Sequence, residues 1–196
     1  MSTAIILLAA GSSSRLGEPK QLLPYQGQTL LRRAAETAVA AAAGASVVVV
    51  TGALHEELLP ELAGLPVQVV RCQSWQLGMG ASLKTGLHLL QATTPVLGAI
   101  IVMLCDQPFV TPALLQQLAI THESTGQPIV AAEYGGVRGV PVLFGSEALP
   151  LLGTLPDNAG ASQFLKKHPQ LVATVPFPEG AIDVDTPEQY AALLVK

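Results

Sequence analysis

The chain has 196 residues, of which 49% are hydrophobic and only 12% charged. A chain of this size buries about 70% of the surface its unfolded form exposes, and its apolar, low-charge composition excludes a disordered protein. Ten Lys and Arg against fourteen Asp and Glu give a net charge of −4, which argues against a nucleic acid or an anionic membrane surface as partner.

The apolar stretch from Ala38 to Val50 is interrupted by Gly44 and Ser46 and is shorter than the ~20 residues of a spanning helix. Ala4 to Ala10 has the apolar character of a signal sequence, but no Lys or Arg precedes it. Cys72 and Cys105 belong to no CxxC pair and no Cys/His cluster. They read as free thiols in a reducing compartment, and the expectation is a soluble, cytoplasmic protein.

In chain order, the first predicted strand is the continuous apolar run Thr3 to Leu8, as expected of a strand covered on both faces. It runs into the string LAAGSSSRLGEPK, Leu8 to Lys20. Gly11, Ser12, Ser13 and Ser14 leave backbone amides free to face a ligand, and Arg15 and Lys20 add positive charge. These are ingredients of a polyphosphate site. The spacing is neither that of a Walker A loop nor that of the dinucleotide GxGxxG pattern, and on composition alone a flexible turn reads equally well.

A predicted helix from Leu30 to Ala43 ends before Gly44, and Val47 to Thr51 is the second strand. A shorter helix, His55 to Leu62, precedes a strand at Val67 to Arg71. Trp75 to Leu87 then reads WQLGMGASLKTGL and leads into a helix predicted from Ala81 to Ala92. Gly78 and Gly80 permit close backbone approach to a flat base, and Ser82 offers a hydroxyl at a helix start. A plain glycine-rich helix entry, with Trp75 and Met79 packing, fits the same residues.

Gly98 to Leu104 is a buried strand ending in Cys105-Asp106-Gln107-Pro108. A carboxylate just past the carboxyl edge of a central strand stands where phosphates would lie, and hard oxygen ligands suit Mg²⁺. An Asp capping the turn before Pro108 occupies the same position equally well. Thr111-Pro112 opens the next helix with a cap and a proline at its first position. Strands follow at Pro128 to Ala132, Val140 to Phe144 and Leu171 to Val175, and the 135–160 region is richer in Gly and Pro. Thr186-Pro187 opens the last helix, and Gln189 completes a capping box with Thr186. Asp183 and Asp185 immediately precede that cap.

Strands alternating with helices predict βαβ units: one Rossmann-like α/β domain over residues 1–196, a mostly parallel sheet flanked by helices. Ligands of such sheets lie at the carboxyl ends of the strands.

The string from Leu8 to Lys20 resembles the signature LAAGxSxRxGxxK of the molybdopterin nucleotidyltransferase family, in the form of its molybdenum cofactor cytidylyltransferase branch. Leu8, Ala9, Ala10, Gly11, Ser13, Arg15, Gly17 and Lys20 meet every fixed position, and the guanylyl branch usually has Gly-Gly where this chain has Ala10-Gly11. The segment after Trp75, the Asp106-Gln107-Pro108 turn and Asp183-Val184-Asp185-Thr186-Pro187-Glu188 arrive in family order. The resemblance implies transfer of CMP from CTP, with GTP less favoured, onto molybdopterin carrying molybdenum, with release of pyrophosphate.

By the same resemblance Arg15 would hold the β- and γ-phosphates and Lys20 the α-phosphate. Asp106 and Asp185 would hold Mg²⁺, with Asp183 an outer helper. Leu8 to Ser13, Gly78, Met79, Gly80 and Ser82 would line the nucleotide. The nucleotide half is about 1–110 and the acceptor half about 111–196. A transient contact with a molybdoenzyme or its chaperone is a further implied partner.

The acceptor half departs from the family. Val140 stands where a His precedes Pro141, and Ser162 stands where an Arg would meet an anionic substrate. Arg138, Val140 and Pro141 are the acceptor candidates, with Lys166 and Lys167 as substitutes for the missing charge. The departures keep two alternatives open: transfer to a sugar or polyol phosphate, and a nucleotide-binding cofactor carrier or inserter without turnover.

Overall fold

The computed structural model describes residues 3–13 and 16–195. Seven strands form the main sheet: β1 (Thr3–Ala9), β4 (Val47–Thr51), β5 (Gln68–Arg71), β6 (Ala99–Leu104), β7 (Ile129–Tyr134), β8 (Val137–Gly145) and β9 (Val172–Pro176). Their order is β5-β4-β1-β6-β8-β7-β9, and a separate hairpin pairs β2 (Pro24–Tyr25) with β3 (Gln28–Thr29). Every neighbouring pair of the main sheet is parallel except the two made by β8. The mostly parallel α/β domain expected from the sequence is therefore present, with β8 as its one reversed strand.

The reversal has a local cause. Gly135 and Gly136 take φ of 57° and 75° between β7 and β8, the left-handed pair that a tight hairpin turn demands and glycine supplies most easily. The turn also starts β8 at Val137, three residues before the predicted Val140.

Side chains alternate across the central strands, so each strand feeds two cores. On one face Ile6, Leu8, Val48, Val50, Ile100 and Val102 pack with Leu83, Leu87 and Leu90 of α3 (Met79–Thr93). The short helices α5 (Leu149–Gly153) and α6 (Ala161–Lys167) complete that layer through Leu152 and Phe164. On the other face Ile5, Leu7, Val47, Val49, Ile101 and Met103 meet α1 (Leu30–Ala42), α2 (His55–Leu62) and α4 (Pro112–Thr125).

A third, small cluster joins Leu16, Leu23, Tyr25 and Leu30 to Val184 and to Leu193 of α7 (Pro187–Leu194). It fastens the chain's last segment beside its first loop. Thr111 caps α4 by accepting from Leu114 N, and Thr186 and Gln189 form the expected capping box on α7. Both cysteines are free and buried. Among the described residues no helix is long and apolar enough to cross a membrane.

Candidate active site

Leu8 of β1 and Leu104 of β6 are partners in a parallel ladder. The residues that follow each of them therefore emerge at the same edge, and the first loop and Asp106 share one cleft. This cleft has a volume of about 350 Å³ and is lined by Leu8 through Ser13, Lys20, Gly78, Met79, Ser82, Asp106 and Asp185. Leu16, Gln21, Trp75, Gln76, Leu104 and Cys105 complete its walls.

Asp185 arrives by an indirect route. The last strand, β9, ends at Pro176, and the 3₁₀ turn Pro178–Ala181 intervenes before Asp185. The segment is set instead by Val184 N, which donates to the Asp106 carbonyl at 3.1 Å. Gln189 Oε1 then accepts from both Asp185 N and Thr186 N at 2.9 Å, so the helix cap itself holds Asp185 in place. Asp183 accepts from Gln189 Nε2 at 2.8 Å, which makes it a support of the same cap.

Lys20 sits between the two carboxylates. Its Nζ donates to Asp106 Oδ2 at 2.5 Å and to Asp185 Oδ1 at 2.8 Å. Burial on its own would lower the pKa of this amine. The charge of Asp106 and the hydrogen bonds to Asp106 and Asp185 outweigh burial and hold the Lys20 pKa above its ordinary value. Asp106 is raised, chiefly by burial and also by the charge of Asp185, with Lys20 pulling the other way. Its second oxygen, Oδ1, is buried and has no hydrogen-bond partner among the described residues. Cys105 is fully buried, and desolvation with the Asp106 charge pushes its thiol up to about 12. It is a packed residue and no nucleophile.

The first loop is built on a residue the motif reading passed over. Gln21 is 1% exposed; its Nε2 donates to Ala9 O at 3.1 Å and to Gly11 O at 2.7 Å, and its Oε1 accepts from Ser13 Oγ at 3.1 Å. Ser13 Oγ in turn accepts from Lys20 N at 3.0 Å. The signal was its position directly after Lys20, a polar residue opening the run Gln21-Leu22-Leu23.

Gly80 has a different use from the one expected. A Cβ there would lie 2.2 Å from Pro156 O and 3.0 Å from both Asp157 O and Ala159 O, so the close approach it permits is that of the 156–159 loop. Gly80 is not among the cleft residues, whereas Gly78 is. Gly78, at φ 130°, has the same loop at its back, with Asp157 O at 2.7 Å from a hypothetical Cβ. Ala81 N donates to Asp157 O at 3.2 Å and Lys84 pairs with the Asp157 carboxylate at 2.5 Å.

The acceptor candidates stand apart from the cleft. Arg138 donates to Pro169 O at 3.2 Å, and Val140 O accepts from Gln107 Nε2 at 3.1 Å. Neither they nor Pro141 line the cleft walls. Lys166 and Lys167 are exposed at the end of α6. Ser14 and Arg15 lie outside the described residues.

A loop of main-chain amides at the carboxyl edge of a parallel sheet, beside a pocket that gathers cationic and anionic groups, is the equipment of a nucleotidyltransferase. The chain belongs to the family described as MobA-like NTP transferase domain, which matches residues 5–172. It is 34% identical over 200 residues to nicotine blue oxidoreductase of Paenarthrobacter nicotinovorans, covering 96% of this chain and 95% of that protein. It is 29% identical over 195 residues to a probable molybdenum cofactor guanylyltransferase of a Nostoc species, covering 96% and 88%. Among solved structures it resembles Rv0371c from Mycobacterium tuberculosis H37Rv, with TM-score 0.82, 29% identity and coverage of 100% and 98%. A complex of Rv0371c with manganese superposes with TM-score 0.78 at 27% identity, covering 100% of both chains.

Proposed function

We propose that the protein transfers CMP from CTP to the molybdenum cofactor and releases pyrophosphate, with a divalent cation, Mg²⁺ in the first instance. The observation that carries this reading is Lys20 held between Asp106 and Asp185 where the first loop ends. It gathers, in one cleft, a cation for phosphate and two carboxylates for a metal.

The donor set fits a hard cation. Asp106 Oδ1 is a buried oxygen with no hydrogen-bond partner among the described residues, and Asp185 supplies a second carboxylate. Among the described residues no group of three or more His, Cys, Asp or Glu assembles. That matches the habit of Mg²⁺, which takes one or two carboxylates and completes its shell with water and phosphate. The manganese complex of the Mycobacterium relative supports a divalent cation in the family. When bound, the ion would supply charge neutralisation to the phosphates.

The chain's own residues do the rest. The acceptor phosphate is already ionised at neutral pH and needs no strong base to attack the α-phosphorus of the nucleotide. The protein's task is position and charge. Loop amides from Ala10 to Ser13 face the triphosphate, Arg15 holds the departing β- and γ-phosphates, and Lys20 meets charge redistributed at the α-phosphate. The N-terminus of α3, at Gly78 and Met79, brings its positive dipole end to the same cleft.

Two observations favour other readings. The Nostoc relative is named for guanylyl transfer, which favours GTP as donor. The Paenarthrobacter relative is named an oxidoreductase and matches nearly end to end, which favours a redox activity on the same scaffold. One experiment separates them: pyrophosphate release from CTP and from GTP, with and without molybdopterin, beside reduction of nicotine blue by a reduced nicotinamide. Acceptor-dependent pyrophosphate from CTP supports the proposal. Release from GTP alone, or dye reduction without pyrophosphate, overturns it.

A further inference from the structure

We infer that Gln21 is a positioning residue that sets the first loop for the triphosphate portion of the nucleotide; the inference rests on the nucleotide-binding reading above. A trans peptide holds a carbonyl and the following N–H antiparallel. Drawing the Gly11 carbonyl onto Gln21 Nε2 at 2.7 Å therefore turns Ser12 N–H away from Gln21. Drawing in Ala9 O at 3.1 Å does the same for Ala10 N–H. One side chain thus orients two peptides of the loop, drawing the Ala9 and Gly11 carbonyls inward, where they would otherwise repel phosphate.

Two features show a built arrangement. Both Nε2 hydrogens and the Oε1 of Gln21 are engaged, so the amide has a single allowed orientation. Ser13, a non-glycine at φ 56°, is held in the left-handed region, and its hydroxyl links Gln21 to Lys20 N. The same network therefore fixes the start of the segment that carries the Lys20 ammonium. A cradle Cβ at Gly11 would meet nothing within 4 Å, so the space in front of the loop is left open.

The test compares wild type, Gln21→Met (similar in shape, without the hydrogen bonds) and Ser13→Ala. Dissociation constants for CTP and for CMP are measured by calorimetry with the metal present, alongside KM and kcat. Gln21→Met is expected to weaken CTP about tenfold while CMP changes little, and to raise KM for CTP more than it lowers kcat. Ser13→Ala, which spares both Nε2 bonds, shows the same pattern at smaller size. A general loosening of the fold would weaken CTP and CMP alike, and that result overturns the inference. If Gln21→Met does not fold, equal CTP affinity in folded Ser13→Ala and wild type overturns it as well. Failure of the underlying reading looks different: wild type itself then binds neither CTP nor GTP.

Discussion

Gly80→Ala adds one methyl group in the first turn of α3, and the two effects of that change oppose each other. A helix gains up to about 1 kcal/mol when Ala replaces Gly, and less near its end than in its interior. Against this, the new carbon would lie 2.2 Å from the Pro156 carbonyl oxygen and 3.0 Å from those of Asp157 and Ala159. Ordinary carbon–oxygen contacts begin near ~3.3 Å, so the loop must retreat by about 1 Å. The obstacles are main-chain atoms, which cannot rotate aside. The bond from Ala81 N to Asp157 O and the Lys84–Asp157 pair would be stretched with them.

Overpacking of this kind costs about 1–3 kcal/mol, which exceeds the helix gain and leaves a net loss of about 1–2 kcal/mol. For a chain of this length the loss lowers Tm by roughly 2–8 °C. Thermal unfolding followed by circular dichroism reads it directly, and Gly11→Ala is the control because a Cβ there meets nothing within 4 Å. Equal Tm values for the two variants, or a Gly80→Ala protein more stable than wild type, would refute the packing argument.

Lys20→Met should lower kcat by about 10²–10³. The stability Lys20 draws from its carboxylates is complete below its ordinary pKa of 10.5 and is lost as pH rises through the raised one. Wild type and Lys20→Met should therefore converge in alkaline unfolding but not at neutral pH. Asp185→Ala should lose activity on the same scale, whereas Asp183→Ala, whose carboxylate serves Gln189, should lower Tm and leave kcat near wild type; steady-state rates and melting curves distinguish them. Ala10 packs beside Gly52 and lines the cleft, so Ala10→Gly should relax preference for CTP over GTP, measured as the ratio of kcat/KM with one acceptor.

Apolar periodicity carried the sheet, because strands buried on both faces read as unbroken runs such as Val47 to Val50. Capping residues carried the helix starts, Thr111 and Thr186 among them, because an N-cap is a local interaction. The hairpin of β2 and β3 was invisible for the opposite reason: two residues a side show no period, and its turn at Gln26 and Gly27 hides in a polar stretch. The reversal of β8 was written in Gly135-Gly136, but the surrounding Gly and Pro masked it as irregular chain.

Within the candidate site, the charged residues proposed to act by their own chemistry were legible. Lys20, Asp106 and Asp185 carry charges in particular strings, and the fold gathers them. Residues that act through contacts were not. Gln21 works through main-chain carbonyls, and Gly80 through a loop nearly eighty positions away, which no local string reports.

That loop has a consequence for anyone who would recombine this scaffold. The 156–159 segment braces Gly78 in the cleft wall and Gly80 behind it, and Asp185 enters the cleft from the far end of the chain. A chimera joined near residue 110 would import, with a foreign C-terminal half, a new brace for α3 and a new partner for Lys20. The two halves of the chain are mechanically entangled at the cleft. They would be inherited together, and neither would travel as a free cassette.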